Sequence, residues 1–292
     1  MIFYSWIFPH YLYGAPLWIF QAFKVISCNS KPKYGYGVHF DKLNSLYVKS
    51  GKLILGVKGN ICQFAVMVRL NWLPLKYVLA LQSVFWLYRI LKIPNSGVCR
   101  LFLDLKNDLQ NDEKWGDSIF FKPAYDFLIR LQTLYNNINS TQLVFLEVDN
   151  IGKFKKLLKE AAFYEFNDFW EKWTKGRYTY RYFPEITYGK KIIIRNNFNR
   201  VGEKIYYGLS FKQNLLNDFK HVYIDNNVSP LCRFCNTHIE SIEHVLINCT
   251  SLNYTKLQNN CERLKIEYNV KNLLGDLKLK NCVERFLYES FI

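Results

Sequence analysis

The chain has 292 residues, of which 50% are hydrophobic and 22% charged, with 14 Gly and 8 Pro. That composition is rich enough for a packed core and excludes an intrinsically disordered tail or a collagen-like or linker-dominated architecture. Lys and Arg number 39 against 24 Asp and Glu, a net charge of +15, which directs attention to polyanionic partners such as nucleic acid or to an anionic membrane surface.

Positions 1–23 carry no charge, the first charged residue being Lys24. The run invites a signal or membrane-anchor reading, but it lacks a basic leading segment and is interrupted by Pro9, His10, Gly14 and Pro16. Phe40, Leu43, Tyr47 and Ile54 recur at helical spacing, with Lys42, Lys49 and Lys52 on the opposite face and Gly56 as a stop. Asn71-Trp72-Leu73-Pro74 precedes an apolar run from Leu75 to Ile93. Pro74 suits a first helical position, and Lys76, Ser83 and Arg89 leave only a narrow polar stripe, so this helix is expected to be buried on most sides.

Pro94-Asn95-Ser96-Gly97 ends that helix. Asp104, Asp108, Asp112, Glu113 and Asp117 read as a solvated helix or turn face. Between Ile119 and Ile138, Phe121, Ala124, Leu128, Leu131, Tyr135 and Ile138 alternate by threes and fours, with Asp117 or Ser118 as N-cap and Pro123 in the first turns. Residues 150–173 repeat the pattern through Ile151, Phe154, Leu158, Ala161, Phe169, Trp170 and Trp173, an aromatic stripe expected to be core. Gly176, Pro184, Gly189 and Gly202 then break it, and Ile192-Ile193-Ile194 is a candidate strand. Residues 203–220 are weakly helical, and 225–230 form a polar turn ending at Pro230. The fold class expected is mainly α, with regions 1–100, 101–202 and 203–292.

The charge is uneven along the chain. Residues 1–100 hold twelve basic residues and one acid, Asp41; residues 101–171 hold eight basic and twelve acidic; residues 172–200 hold eight basic and one acidic, Glu185; the remainder is nearly balanced. Two basic blocks thus flank an acidic one. In the second basic block, Arg177, Arg181, Lys190, Lys191, Arg195 and Arg200 interleave with Tyr178, Tyr180 and Tyr182, a pattern suited to holding phosphates while rings stack on unpaired bases.

Of eight cysteines, Cys232 and Cys235 form a C-x2-C knuckle, followed by His244 and Cys249. Two thiolates on a tight turn grip one face of a zinc ion, and a later pair on a short helix closes the tetrahedron. Ile242, Val245 and Leu246 would pack beneath it. His238 is the alternative fourth ligand, though closure through it would be cramped. Cys28, Cys62, Cys99, Cys261 and Cys282 lack such company and read as small buried hydrophobes. Unpaired thiols in a metal-binding pattern suit a reducing compartment, intracellular in the nucleus or cytoplasm. His10, His39 and His221 are scattered singles, and Gly35 and Gly37 do not make a phosphate loop.

The segment Cys232–Cys249, with Glu240, Ser241, Glu243 and Val245-Leu246 around His244, resembles the zinc-binding region near the C-terminus of non-LTR retrotransposon reverse transcriptases. Tyr13-Gly14-Ala15-Pro16-Leu17-Trp18 is similar to the element just beyond the palm in those polymerases. Leu53-Ile54-Leu55-Gly56-Val57 and Asn71-Trp72-Leu73-Pro74-Leu75 resemble their thumb-side helices, where a Gly often stands in place of Asn71. The resemblance covers roughly 1–94 and 230–250. It implies a thumb-like helical region, a helical connector and a small zinc-knuckle subdomain at the C-terminus, gripping RNA or DNA while catalysis belongs to a palm.

The palm's own signature is missing. Two-metal polymerase chemistry needs clustered carboxylates, yet the chain has no Asp-Asp pair and a lone acid in its first hundred residues. The sequence is therefore expected to be non-catalytic as it stands: a C-terminal piece of such a polymerase, a partner of a separate palm-bearing chain, or a decayed copy. The rival expectation is a non-catalytic zinc-knuckle scaffold with a membrane-associated N-terminal segment.

Overall fold

The computed structural model describes residues 36–57, 59, 61–92, 122–175, 183, 188–189, 200–211, 216–276 and 278–292. The described residues are mainly α-helical, and their one β feature is an isolated antiparallel bridge between Leu231 and Ile239. The chain divides into two compact units. One comprises residues up to Tyr47, Leu73–Phe169 and Ile186–Gly189; the other comprises Val48–Trp72, Trp170–Glu185 and Lys190–Ile292.

Helix α1 (Tyr36–Leu55) buries Leu43 and Tyr47 and exposes Lys42 and Lys49 as expected, but at its end Leu55 rather than Ile54 is buried, Ile54 and Lys52 being half-buried. Gly56 ends it in the left-handed region (φ +67°), where a Cβ is disfavoured. Helix α2 (Gln63–Leu70) has no counterpart in the sequence reading. Six consecutive residues, Ala65 to Leu70, are buried, so no amphipathic rhythm betrays it. It closes at Asn71, which is left-handed (φ +51°) and donates its N–H to the carbonyls of Met67 and Val68.

In the first unit, α3 (Leu75–Lys92) begins one residue after Pro74, whose carbonyl accepts the Tyr77 and Val78 N–H groups. Its polar stripe is narrower than the sequence suggested, because Ser83 is buried and bonds back to the Leu79 carbonyl. Helices α4 (Lys122–Asn139) and α5 (Ile151–Thr174) follow. Ala124, Leu128 and Leu131 are buried as expected, whereas Ile138 is exposed in the last turn.

Within the unit, aromatic side chains supply much of the core. Phe154 stacks on Tyr88 at 3.9 Å and meets Phe85 edge-on, while Tyr77 packs on Phe127 and Phe166. The Tyr77 hydroxyl donates to Glu165, which also pairs with Arg130. Asn150 caps α5, its Oδ1 accepting the Lys153 N–H at 2.9 Å.

In the second unit, α6 (Arg200–Ser210) packs on α10 (Lys280–Phe291). Between them in sequence lie α7 (Asn217–Tyr223), α8 (Thr255–Leu264) and α9 (Val270–Gly275). The weakly helical stretch 203–220 thus resolves into two helices, and the polar turn at 225–230 is present, with Asp225 Oδ1 accepting the Asn227 N–H. Arg69 is buried here. It donates to the Leu274 carbonyl and to Ser210 Oγ, and its guanidinium lies over the rings of Phe183 and Tyr206. Among the described residues, no single helix is long and apolar enough to cross a membrane.

Candidate metal centre

The knuckle is built by local hydrogen bonding. The Cys232 N–H donates to the His238 carbonyl at 2.7 Å, and the Asn236 N–H returns to the Cys232 carbonyl at 2.8 Å. Asn236 takes the left-handed conformation (φ +54°) that lets so tight a turn close, and Asn tolerates this better than most residues. The Leu231–Ile239 bridge and the Glu240 N–H to Pro230 carbonyl bond clasp the two ends of the loop.

The second ligand pair comes from a widened helical turn, His244–Asn248, entered through Ser241, whose hydroxyl accepts the His244 N–H at 3.1 Å. His244 and Cys249 are five residues apart. On a regular α-helix they would point about 140° apart. The wider i→i+5 winding overlays them more nearly, which accounts for this rare geometry here. Tyr254 holds the turn: its hydroxyl accepts the Cys249 N–H and faces the carbonyls of His244 and Val245. Tyr268 adds a bond to the Leu246 carbonyl. Ile242, Val245 and Leu246 are buried, forming the miniature core expected beneath the site.

One ligand atom from each of Cys232, Cys235, His244 and Cys249 lies within 4.8 Å of the others, an arrangement that could hold a metal ion. Cys232 Sγ stands 3.8 Å from Cys249 Sγ, and Cys235 Sγ 3.2 Å from His244 Nε2. Cys232, Cys249 and His244 are buried, and Cys235 is partly open. His238, the alternative ligand, is exposed; it stacks on His244 and hydrogen-bonds Thr237 rather than joining the thiols.

The thiols differ in acidity. A hydrogen bond from the Thr237 hydroxyl at 3.2 Å, with backbone donors behind it, lowers Cys235 to about 5, while burial pushes Cys249 up to about 11. Cys235 is thus a ready thiolate, and Cys249 requires a cation to become one.

A buried carboxylate fixes the knuckle to its surroundings. Glu240 accepts the Arg233 and Asn217 N–H groups and a two-pronged bond from the Arg233 guanidinium, 2.6 Å at its shortest. Arg233 and Phe234 both lie against Phe291 of α10. The sequence pattern quoted Glu240 and Ser241 without a task for either. It gave no sign of Tyr254 and Tyr268, because a tyrosine that braces carbonyls from nine to twenty-two residues away has no local signature.

Of the other cysteines, Cys261 is buried, whereas Cys62 and Cys282 are partly exposed, which corrects the expectation of small buried hydrophobes for those two. Cys282 Sγ accepts from Asn260 at 3.2 Å, a polar role that a half-open position on α10 permits. Cys28 and Cys99, the N-terminal element at 13–18, the acids between Asp104 and Asp117, the strand candidate at 192–194, and Arg177, Arg181, Lys190, Lys191 and Arg195 lie outside the described residues. Arg200 begins α6, and its side chain is likewise outside them. Comparison with protein-family models, curated proteins and solved structures yields no match to this chain.

Proposed function

We propose that this chain is a zinc-stabilised nucleic-acid-binding segment of the kind found beyond the palm of non-LTR retrotransposon reverse transcriptases, without polymerase chemistry of its own. The convergence of Cys232, Cys235, His244 and Cys249 carries the reading. A tetrahedral zinc with Zn–S bonds of about 2.3 Å spaces its sulfurs about 3.8 Å apart, and Cys232 and Cys249 stand at 3.8 Å. The Cys235–His244 edge, 3.2 Å, is slightly shorter than the roughly 3.5 Å such a tetrahedron has. Three thiolates and an imidazole suit zinc and disfavour the hard cations calcium and magnesium.

Two further observations support the family reading. Residues that carry the resemblance have specific structural tasks: Ser241 opens the ligand turn, Glu240 anchors the knuckle, and Asn71 occupies a left-handed position where the family pattern often has Gly. The net charge of +15 suits a phosphate-rich partner, RNA or DNA, inside the cell, with a separate palm-bearing chain as the source of any catalysis.

The test is the purified full chain. Elemental analysis should give one zinc per chain, and RNA retention on filters should fall steeply as salt rises. A metal-free folded protein would remove the zinc centre, and salt-independent or absent RNA retention would remove the nucleic-acid role.

A further inference from the structure

The block 101–171 is acidic in sum, yet within it α5 opens on a run of lysines. In the first three turns of α5, Lys153, Lys156 and Lys159 are exposed at i, i+3 and i+6, a spacing that places them along one side of the helix. None of the three ammonium groups forms an ion pair with a described residue. The acids nearby are already engaged or set apart: Asp149 pairs with Lys92 at 2.7 Å, and Glu160 accepts the Tyr164 hydroxyl. Lys155 lies over the ring of Phe85, and Arg89 is exposed near the end of α3, whose Tyr88 stacks on Phe154 of α5.

This row does nothing for its helix. Cations in the opening turns oppose the helix dipole, α5 has no acid in its first turn to offset them, and like charges three apart repel. The helix is instead held from behind by the Phe154–Tyr88 stack, by Phe85 and by the Asn150 cap. A rigid, unfavourably charged edge is the arrangement expected of a surface whose counter-charge arrives from outside.

We infer that Lys153, Lys156 and Lys159 form a phosphate-contacting track for a nucleic-acid backbone, read without regard to sequence. The inference rests on the nucleic-acid role proposed above and assigns it to residues that the summed charge of their block concealed. Successive lysines step about 4.5 Å along the helix axis, within the reach of flexible stems to adjoining phosphates. The one aromatic ring in this stretch, Phe154, is buried, so the row offers charge and no stacking platform for bases. Phe154, Leu157, Leu158 and Ala161 are all turned into the core, which leaves Ile151 alone as apolar exposed surface and disfavours insertion into a lipid interface.

The test measures binding of a labelled 30-nucleotide mixed-sequence RNA by the full chain across a salt series. K153Q/K156Q/K159Q should keep the wild-type circular dichroism and reduce the slope of log K against log salt by about 2, a loss on the order of 100-fold at 0.1 M salt. K156Q alone should reduce it by about 0.7. The control K265Q/K271Q/K278Q, on exposed positions of the second unit, should leave it unchanged. Wild-type binding with an unaltered slope in the K153Q/K156Q/K159Q and K156Q variants would overturn the track and leave the nucleic-acid role standing. Absence of salt-dependent RNA binding in the wild type would overturn both. Binding to phosphatidylserine vesicles but not RNA, lost in the triple variant, would overturn the track in favour of a membrane surface.

Discussion

Single residues decide which side chains join the candidate metal cluster. His238 and His244 are both within reach of the knuckle in sequence, but the Thr237 bond holds His238 at the surface while Ser241 steers His244 inward. His244→Ala should therefore lower metal affinity by about 100-fold or more, and His238→Ala, which disturbs only the outer shell through Thr237, by about tenfold at most. Competition titration with a chromophoric chelator separates the two. A reversal of this ranking would make His238 the fourth ligand.

A second residue-scale effect lies in the buried group of Lys280, Glu203 and Glu284. Lys280 bridges the two carboxylates at 3.0 and 3.3 Å beneath the Tyr207 ring. Burial raises the Glu284 carboxyl above its ordinary value, outweighing the attraction of Lys280. The folded chain therefore holds this proton more tightly than the unfolded chain does. Its contribution to stability is fully present below the ordinary glutamate range and is lost as pH rises through the raised folded value. Glu284→Gln should abolish that part of the pH dependence, so urea midpoints at pH 5 and pH 7 should differ less in the variant than in wild type. An unchanged difference would show that another group controls it.

At the scale of elements, the crossing of α6 and α10 depends on an absent side chain. A Cβ at Gly202 would come within 2.5 Å of the Glu284 carbonyl oxygen, and backbone cannot swing aside. Gly202→Ala gains about 1 kcal/mol of helix propensity but forces the helices apart at a cost of about 1–3 kcal/mol. The expected net outcome is a lower thermal midpoint by calorimetry, and a raised midpoint would show that the crossing relaxes freely. The sequence marked Gly202 as a breaker, although it lies inside α6. What looks like poor helix material is the price of close packing between two helices, and close packing is invisible to a single-sequence rhythm. Helix α2 escaped for another reason: eight residues, six of them apolar, are too few to show the period by which α1, α4 and α5 could be read, whereas α3 was legible from its long apolar run after Pro74.

At the scale of the molecule, the candidate metal centre belongs to one of two units. The knuckle segment has little hydrophobic material of its own, and the binding energy of such a site, on the order of 10–16 kcal/mol in peptides, is available to order it. Strong chelation should abolish or sharply lower one thermal transition. The first unit carries its own aromatic core and, among its described residues, no group of metal-ligating side chains, so its helical signal should persist. Differential scanning calorimetry with and without chelator would show this. Simultaneous loss of all structure would mean that the ion stabilises the whole chain.

Spacing alone determined the helical class, the positions of α1, α3, α4 and α5 and the four ligand candidates, because hydrophobic patterning and C-x2-C geometry are local properties of the chain; α2, α8, α9 and α10 were not read from it. Only the tertiary structure singled out one of two histidines for the cluster, widened the turn that carries His244 and Cys249, gave Glu240, Tyr254 and Tyr268 their bracing tasks, and left Lys153, Lys156 and Lys159 without an ion pair among the described residues. Those outcomes depend on partners several to many residues away in sequence, and on how burial and hydrogen bonding distribute groups in space, which order along the chain does not encode locally.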